Sequence, residues 1–320
     1  MLTDRLYPGS RAIAPVQAED EYLHRGESEG PELSETSFFG FNIPEAAIDC
    51  EIYHWFHPNL RMMSGGLMIF RGKKAYAAQA DYLDYRNFMP WPQGDIDDVT
   101  YPTGVRIKVL KPLARFEISF RSPDGDTAFD FVSTAIMPPA GRGDGHHFVQ
   151  AMHCEGELVL NGKRHCIDGF TTRDRSYGLL RSEAPHDAPP LAWGAAVFDR
   201  DLAFHFVGVD SEDLTAESIR WGYVWRDGRL WDIVRMRKNT ERGGDGARPT
   251  GATIELEDGG GCRHLLTARA LARLPMPFWP NMVTQLTLME YRLPDGRTGH
   301  GDYQDVLFGH FLRTLNGAED

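Results

Sequence analysis

The chain has 320 residues, with 34 Lys and Arg against 46 Asp and Glu, a formal charge of −12. That acidic balance, with a pI near 5.5, excludes a nucleic-acid backbone or an anionic membrane surface as the main partner. Hydrophobic residues at 42% and charged residues at 25% exclude a disordered chain, and the length suits two domains of about 150 residues.

Residues 1–45 are turn-rich and acidic and read as an extended lead-in with one short helix. They lack the positive-then-apolar signature of a signal peptide, and the run Glu19-Asp20-Glu21 is acidic. No apolar run approaches the roughly 18 residues of a membrane helix. The expectation is a soluble cytoplasmic protein with no membrane span. Cys50, Cys154, Cys166 and Cys262 lie far apart with no CxxC pair, so zinc and dithiol redox chemistry are not indicated, and reduced thiols are expected.

From Glu51 the chain breaks into short apolar segments, EIYHWFHP, GGLMIFRG, AYAAQADY, VRIKVL, ARFEISFR and TAFDFVSTAI. Each ends in or near Gly, Pro, Asp or Asn, as antiparallel strands joined by tight turns do. Ser122-Pro123-Asp124-Gly125-Asp126 predicts a hairpin turn, because Pro presets φ and Gly accepts positive φ. HFVQAMHCEGELVL and KRHCIDGF flank Asn161-Gly162, the strongest short hairpin signal. PHDAPP at 185–190 is a stiff break, which divides an N-terminal domain at 46–184 from a C-terminal domain at 185–320. Beyond it the texture restarts with LAWGAAVFD, DLAFHFVGVD, SIRWGYVWRDG, RLWDIVRMR, ATIELEDGG, RHLLTARAL and TQLTLMEYRLPDG, and closes with DYQDVLFGHFL. Asp227-Gly228 turns another hairpin. The fold class is therefore all-β, two successive antiparallel barrels or strongly curved sandwiches, with no helix of consequence.

The densest chemical cluster is DGFTTRDRSYG at 168–178, two carboxylates and two guanidiniums within eight residues. On a strand, Arg173, Arg175 and Tyr177 share one face, and Asp174 and Ser176 share the other. A carboxylate aimed into an apolar barrel would be held ionised by Arg or pushed up by burial, as acid/base work requires. The bland alternative is an ion pair at a strand end. His54 and His57 flank Trp55, while His147, His153 and Glu155 share strand parity. The i, i+2 histidine pair usual for metal-binding strands is absent, so no metal and no other cofactor is expected. Trp193, Trp221, Tyr223, Trp225 and Trp231 fall on neighbouring strands, where rings wall a core or a flat ligand. No GxSxG elbow, P-loop or GxGxxG follows a strand, which sets aside serine hydrolase and nucleotide chemistry.

The run VLNGKRHCIDGFTTRDRSYGLLR resembles the v-x-G-x-G-x-R-D-H-S-W-G-x-R signature of an uncharacterised bacterial branch of the AttH-like and carotenoid 1,2-hydratase superfamily. HWFHPNL, GGLMIFRG, LKPLARFEISF, HFVQAMHCEGELVLNG and DGRTGHGDYQD follow in the same order, so the resemblance covers roughly residues 50–312. It implies two lipocalin-like barrels, no cofactor, and a hydrophobic small molecule held at the barrel junction. In the hydratase branch an Asp-His-x-Trp run contributes to protonating an alkene. Here Arg175 and Tyr177 stand where relatives carry His and Trp, while Arg173, Asp174 and Gly178 are retained. Arginine delivers no proton near neutral pH.

The resulting expectation is a cofactor-independent lyase, a hydratase or dehydratase acting on a hydrophobic or aromatic small molecule. Asp174 would be the acid or base, Tyr177 its partner, Arg175 the electrostatic clamp and His57 a further acid/base candidate. Arg173, His153, Trp55, Trp193, Tyr223 and Trp225 would contact the substrate. A non-catalytic carrier of lipids, terpenoids or aromatic metabolites and an isomerase or cyclase are the alternatives. The sequence leaves a homodimer open.

Overall fold

The structure, a computed structural model, describes residues 12–24, 30–31, 33–92, 96–180, 188–211, 214–279, 281–315 and 317. The first sheet takes β1 (Ile13–Ala14), β2 (Leu33–Ile43), β3 (Ile48–His57), β4 (Met62–Arg71), β5 (Tyr82–Pro90) and β6 (Asp98–Thr100). It continues with β7 (Arg106–Lys111), β8 (Arg115–Arg121), β9 (Ala128–Ala135), β10 (Ala140–Arg142), β11 (His147–Leu160) and β12 (Lys163–Leu180). Its hydrogen-bonded order is β5-β4-β3-β2-β12-β11-β9-β8-β7-β6, with β10 beside β11 and β1 beside β10. The sheet curls into a half-barrel around an apolar interior that includes Phe39, Phe41, Ile52, Phe56, Phe116 and Met152.

The second sheet is a closed barrel of β13 (Leu191–Val197), β14 (Leu202–Val209), β15 (Ile219–Arg226), β16 (Arg229–Arg242), β17 (Pro249–Asp258), β18 (Arg263–Trp279), β19 (Met282–Arg292) and β20 (Thr298–Phe308). One helix follows, α1 (Gly309–Leu315). The two-part all-β architecture is thus the expected one, although the first part is an open half-barrel.

Turn chemistry works as the sequence suggests. Asn161 and Gly162 adopt φ of 52° and 74°, and Asp227 and Gly228 adopt 55° and 67°, the left-handed pair that matches strand twist. Two local expectations differ. AYAAQADY forms a 3-10 turn at Ala77–Gln79 instead of a strand. The Gln79 side chain takes the backbone N–H groups of Ala75 and Tyr76, at 2.8 and 3.1 Å, before a ladder can use them. Within the expected lead-in, Leu33–Ile43 is a buried strand that pairs with β3 on one side and β12 on the other. Its polar residues hid it: Thr36 and Asn42 face the buried junction, and Glu35 faces the half-barrel interior, where it is buried against Arg175. The expected domain break at 184/185 lies within 181–187, outside the described residues.

The two sheets touch along one face of each. Strand alternation decides what they present. On β3, Cys50, Ile52 and Phe56 point into the half-barrel, which leaves Asp49, Glu51, Tyr53 and Trp55 toward the second barrel. On β20, Tyr303 points inward, so Asp302 points toward the first sheet. Apolar clusters span the boundary: Val149 and Ala151 pack with Trp193, Val207 and Trp221, and Met68 and Phe70 pack with Leu274, Leu286 and Leu288. Backbone bonds tie the edge, with Lys74 N–H donating to the Arg273 carbonyl at 2.8 Å and Arg273 N–H to the Gly72 carbonyl at 3.1 Å.

Candidate functional site: buried carboxylates between the two sheets

The signature strand β12 divides its residues as its parity dictates. Arg173 enters the half-barrel, donates to both carboxylate oxygens of Glu21 at 2.7 Å and to Gln150 at 3.0 Å, and lies 4.2 Å over the Phe116 ring. Arg175 enters beside it and donates to Glu35 at 3.0 Å and to the carbonyls of Thr36 and Tyr22. Tyr177 stacks on His24 at 3.9 Å. These three side chains hold the short N-terminal 3-10 segment Ala18–Glu21 and Tyr22–His24 against the half-barrel. Both guanidiniums are buried and neutralised by carboxylates.

Asp174 and Thr172 face the other way, into the junction. Asp174 is 9% exposed and sits opposite Phe38 in the β2–β12 register. Here the structure gathers residues that the sequence reading did not single out. Asp49 and Glu51 of β3 and Asp302 of β20 bring one carboxylate oxygen each within 4.8 Å of one another, and all three are no more than 2% exposed. Among the described residues none of them has a salt bridge to Lys or Arg. Asp49 Oδ2, Glu51 Oε1 and Asp302 Oδ2 find no hydrogen-bond partner.

Electrostatics follow from that geometry. Burial raises Asp49 and Glu51 well above the carboxylate range, reinforced at Asp49 by Asp302 and at Glu51 by Asp49, Asp302 and Asp174. Burial pushes Asp302 up to about 7, the Thr172 hydroxyl partly opposing it. Close like charges cannot all ionise in a dry site, so the group titrates as a coupled set and keeps protons at neutral pH.

Gly40 lets β2 lie close to β3 beside Glu51. It opposes Glu51 across the β2–β3 ladder, and a Cβ there would lie 2.5 Å from the Cys50 carbonyl. Missing the acids from sequence has a clear cause. Asp49 and Glu51 alternate with apolar residues in IDCEIY, which on an isolated hairpin is a wet face. Asp302 lies in DGRTGHGDYQD, a run tied to the resemblance but without a partner visible in sequence.

An aromatic ladder runs past the acids. Trp279 meets Trp55 at 4.1 Å, Trp55 meets Tyr53 at 5.5 Å, and Tyr53 meets Phe38 at 6.4 Å. Phe38 then meets Trp193 at 6.3 Å, Trp193 meets His205 at 4.5 Å, and His205 meets Trp221 at 5.1 Å. Burial lowers His205 to about 3, so that imidazole is neutral. Of the expected substrate contacts, Trp55, Trp193 and Tyr223 lie on this ladder or beside it, Tyr223 5.6 Å from His205. Trp225 and His153 sit at its rim, joined through Arg200: Trp225 Nε1–H donates to the Arg200 carbonyl at 3.0 Å, and the guanidinium is 3.1 Å from His153 Nδ1. His57 ends β3, half-buried. The structure therefore separates Arg173, Arg175 and Tyr177 from Asp174.

A second set of buried charges is compensated. Inside the second barrel Lys238 bonds to Asp210, Thr240 and Tyr303, and Arg242 pairs with Asp305 and Asp210. Two cations face two anions there. A groove of about 490 Å³ on β16–β18, lined by Arg235, Arg237, Glu255, Glu257 and His264 among others, shares no residue with the junction. All four thiols are free, and burial pushes Cys154 up to about 12.

A curled half-barrel packed against a closed barrel, with acids between them, defines a double lipocalin-like β protein. The chain belongs to the family described as Domain of unknown function (DUF7064), whose profile spans residues 17–304. No curated protein matches the sequence. Among solved structures, kievitone hydratase from Nectria haematococca is 11% identical with a TM-score of 0.54, covering 94% of this chain and 95% of its own. A protein assigned as an AttH from Nitrosomonas europaea is 13% identical with a TM-score of 0.56, covering 92% and 97%. These likenesses establish the AttH-like fold.

Proposed function

We propose that the protein is a hydratase-like lyase that adds water to, or removes it from, a hydrophobic or aromatic small molecule between the two sheets. The observation that carries this reading is the trio Asp49, Glu51 and Asp302, buried without a counter-cation. Protonated carboxylic acids at neutral pH are costly to maintain and are what acid-catalysed hydration needs. Groups whose environments push their pKa values apart divide the labour. Asp302, lifted to about 7, is the base that takes a proton from water. Asp49 or Glu51, raised well above the carboxylate range by burial, is the acid that protonates the unsaturated carbon. Asp174, on the same face and acting on Glu51, keeps the acid protonated. Ring faces of the ladder stabilise the cationic character that develops on carbon. Because the three acids are no more than 2% exposed, this reading requires the sheets to part along the junction to admit substrate. That a neighbour of this fold is named a hydratase supports the reading, as does the resemblance of the signature run.

The test is isotopic. Panels of hydrophobic alkenes, enones and prenylated phenols are incubated with the protein in H₂¹⁸O, and products are weighed by mass spectrometry. The expected product carries one added H₂¹⁸O, and Glu51→Gln and Asp302→Asn lose it while keeping the parent fold. Turnover that survives both substitutions refutes the assignment.

A further inference from the structure

We infer that His153, Glu155 and Asp168 form a divalent metal site at the rim of the junction, in competition with the guanidinium of Arg200. His153 and Glu155 sit two apart on β11, and Asp168 lies directly opposite Glu155 in the β11–β12 register. All three side chains therefore rise from one face. Like charges facing each other across a ladder destabilise it unless a cation stands between them. Here the two carboxylates lean on one imidazole, Asp168 2.9 Å from Nε2 and Glu155 3.6 Å from Nδ1. One ligand atom from each residue falls within 4.8 Å of the others, a spacing that an ion with bonds of about 2.0–2.2 Å can draw together.

The donor set selects the ion class. One imidazole and two carboxylates suit Zn²⁺, Mn²⁺ or Co²⁺, whereas thiolate-seeking ions find no sulfur. The imidazole is held in place, 8% exposed and 4.9 Å from the Phe170 ring. The carboxylates, 67% and 72% exposed, leave the remaining coordination positions to water. Arg200 brings a positive charge against the imidazole. A guanidinium can only donate, so Nδ1 accepts from it at 3.1 Å and the ring hydrogen on Nε2 faces Asp168. A metal on Nε2 moves that hydrogen to Nδ1, which then no longer accepts from the guanidinium, and the ion repels it. Arg200 is exposed and sits in the turn between β13 and β14, so loading exchanges one cation for another and releases this contact between the sheets. The β3, β2, β12 and β11 order puts His153 three strand spacings from Asp49, about 14 Å. The ion is thus remote from the acids invoked above, and this site stands or falls independently of them.

The full-length chain, stripped with a chelator, is titrated with Zn²⁺ and separately with Mn²⁺ by calorimetry, with tryptophan emission recorded alongside. One ion per chain is expected, with an emission change from Trp225 through its bond to Arg200. Asp168→Asn, at an exposed position where folding is retained, weakens binding by about 10-fold or more, and His153→Ala abolishes it. Arg200→Ala tightens it several-fold. Absence of binding overturns the site, and so does binding that Asp168→Asn leaves unchanged, which would put the ion on other histidines. An Arg200→Ala affinity equal to or weaker than the parent's overturns the competition and the proposal with it.

Discussion

Replacing Asp302 by Asn should stabilise the protein and stop its chemistry. In the unfolded chain the carboxyl titrates near 3.8, and in the folded chain near 7. The folded state therefore holds the proton more tightly, and the group's contribution to stability is lost as pH rises from about 4 through 7. About three pKa units correspond to about 4 kcal/mol. Asn has the same shape and no charge, so the variant escapes this loss. At pH 4 the two proteins should melt together, and by pH 8 the variant should be more stable by up to about 4 kcal/mol. With about 2.1 cal/mol/K of unfolding entropy per residue, cooperative unfolding of the whole chain converts that to about 6 °C. Turnover should fall by about 10²–10⁴, the usual worth of a positioned acid or base. Differential scanning calorimetry across pH 4–8 and an ¹⁸O incorporation assay on the same preparation read both effects. A variant that melts lower at every pH, or that turns over at the parent rate, refutes the reasoning.

Under the proposed function, the parent protein's rate should rise through about pH 7 as Asp302 gives up its proton, and fall at higher pH as Asp49 and Glu51 ionise; a pH-rate profile flat across pH 6–8 contradicts that division. Asp174→Asn should cut turnover by about 10²–10⁴ with little change in melting temperature, and a large drop in melting temperature would make Asp174 a structural residue instead. Glu21→Gln leaves the Arg173 cation buried and unpaired, so it should cost about 3–5 kcal/mol; chemical denaturation reads it, and a loss under 1 kcal/mol would speak against the pairing. Activity should withstand chelation, since the proposed acid and base need no ion; loss on chelation with recovery on adding one metal would reverse this.

Strand-length segments, turn residues and parity were legible in the sequence because they are local. Asn161-Gly162 and Asp227-Gly228 turn the chain where positive φ is needed, and alternation along FTTRDRSYG already separated Arg173, Arg175 and Tyr177 from Asp174. What those faces look upon is a long-range fact. Glu21 reaches Arg173 across 152 positions and Glu35 reaches Arg175 across 140, so the partners of the expected substrate contact Arg173 and the expected clamp Arg175 lie far off in the chain, where no local pattern shows them. Asp49 and Glu51 meet Asp302 from the far end of the chain, where no spacing rule links them. The sequence by itself determined that this is an acidic, two-part, all-β protein, with the signature run on the longest of its described strands. Tertiary structure alone decided which carboxylates lack a cation, because burial and charge pairing belong to the space between two sheets and not to either strand.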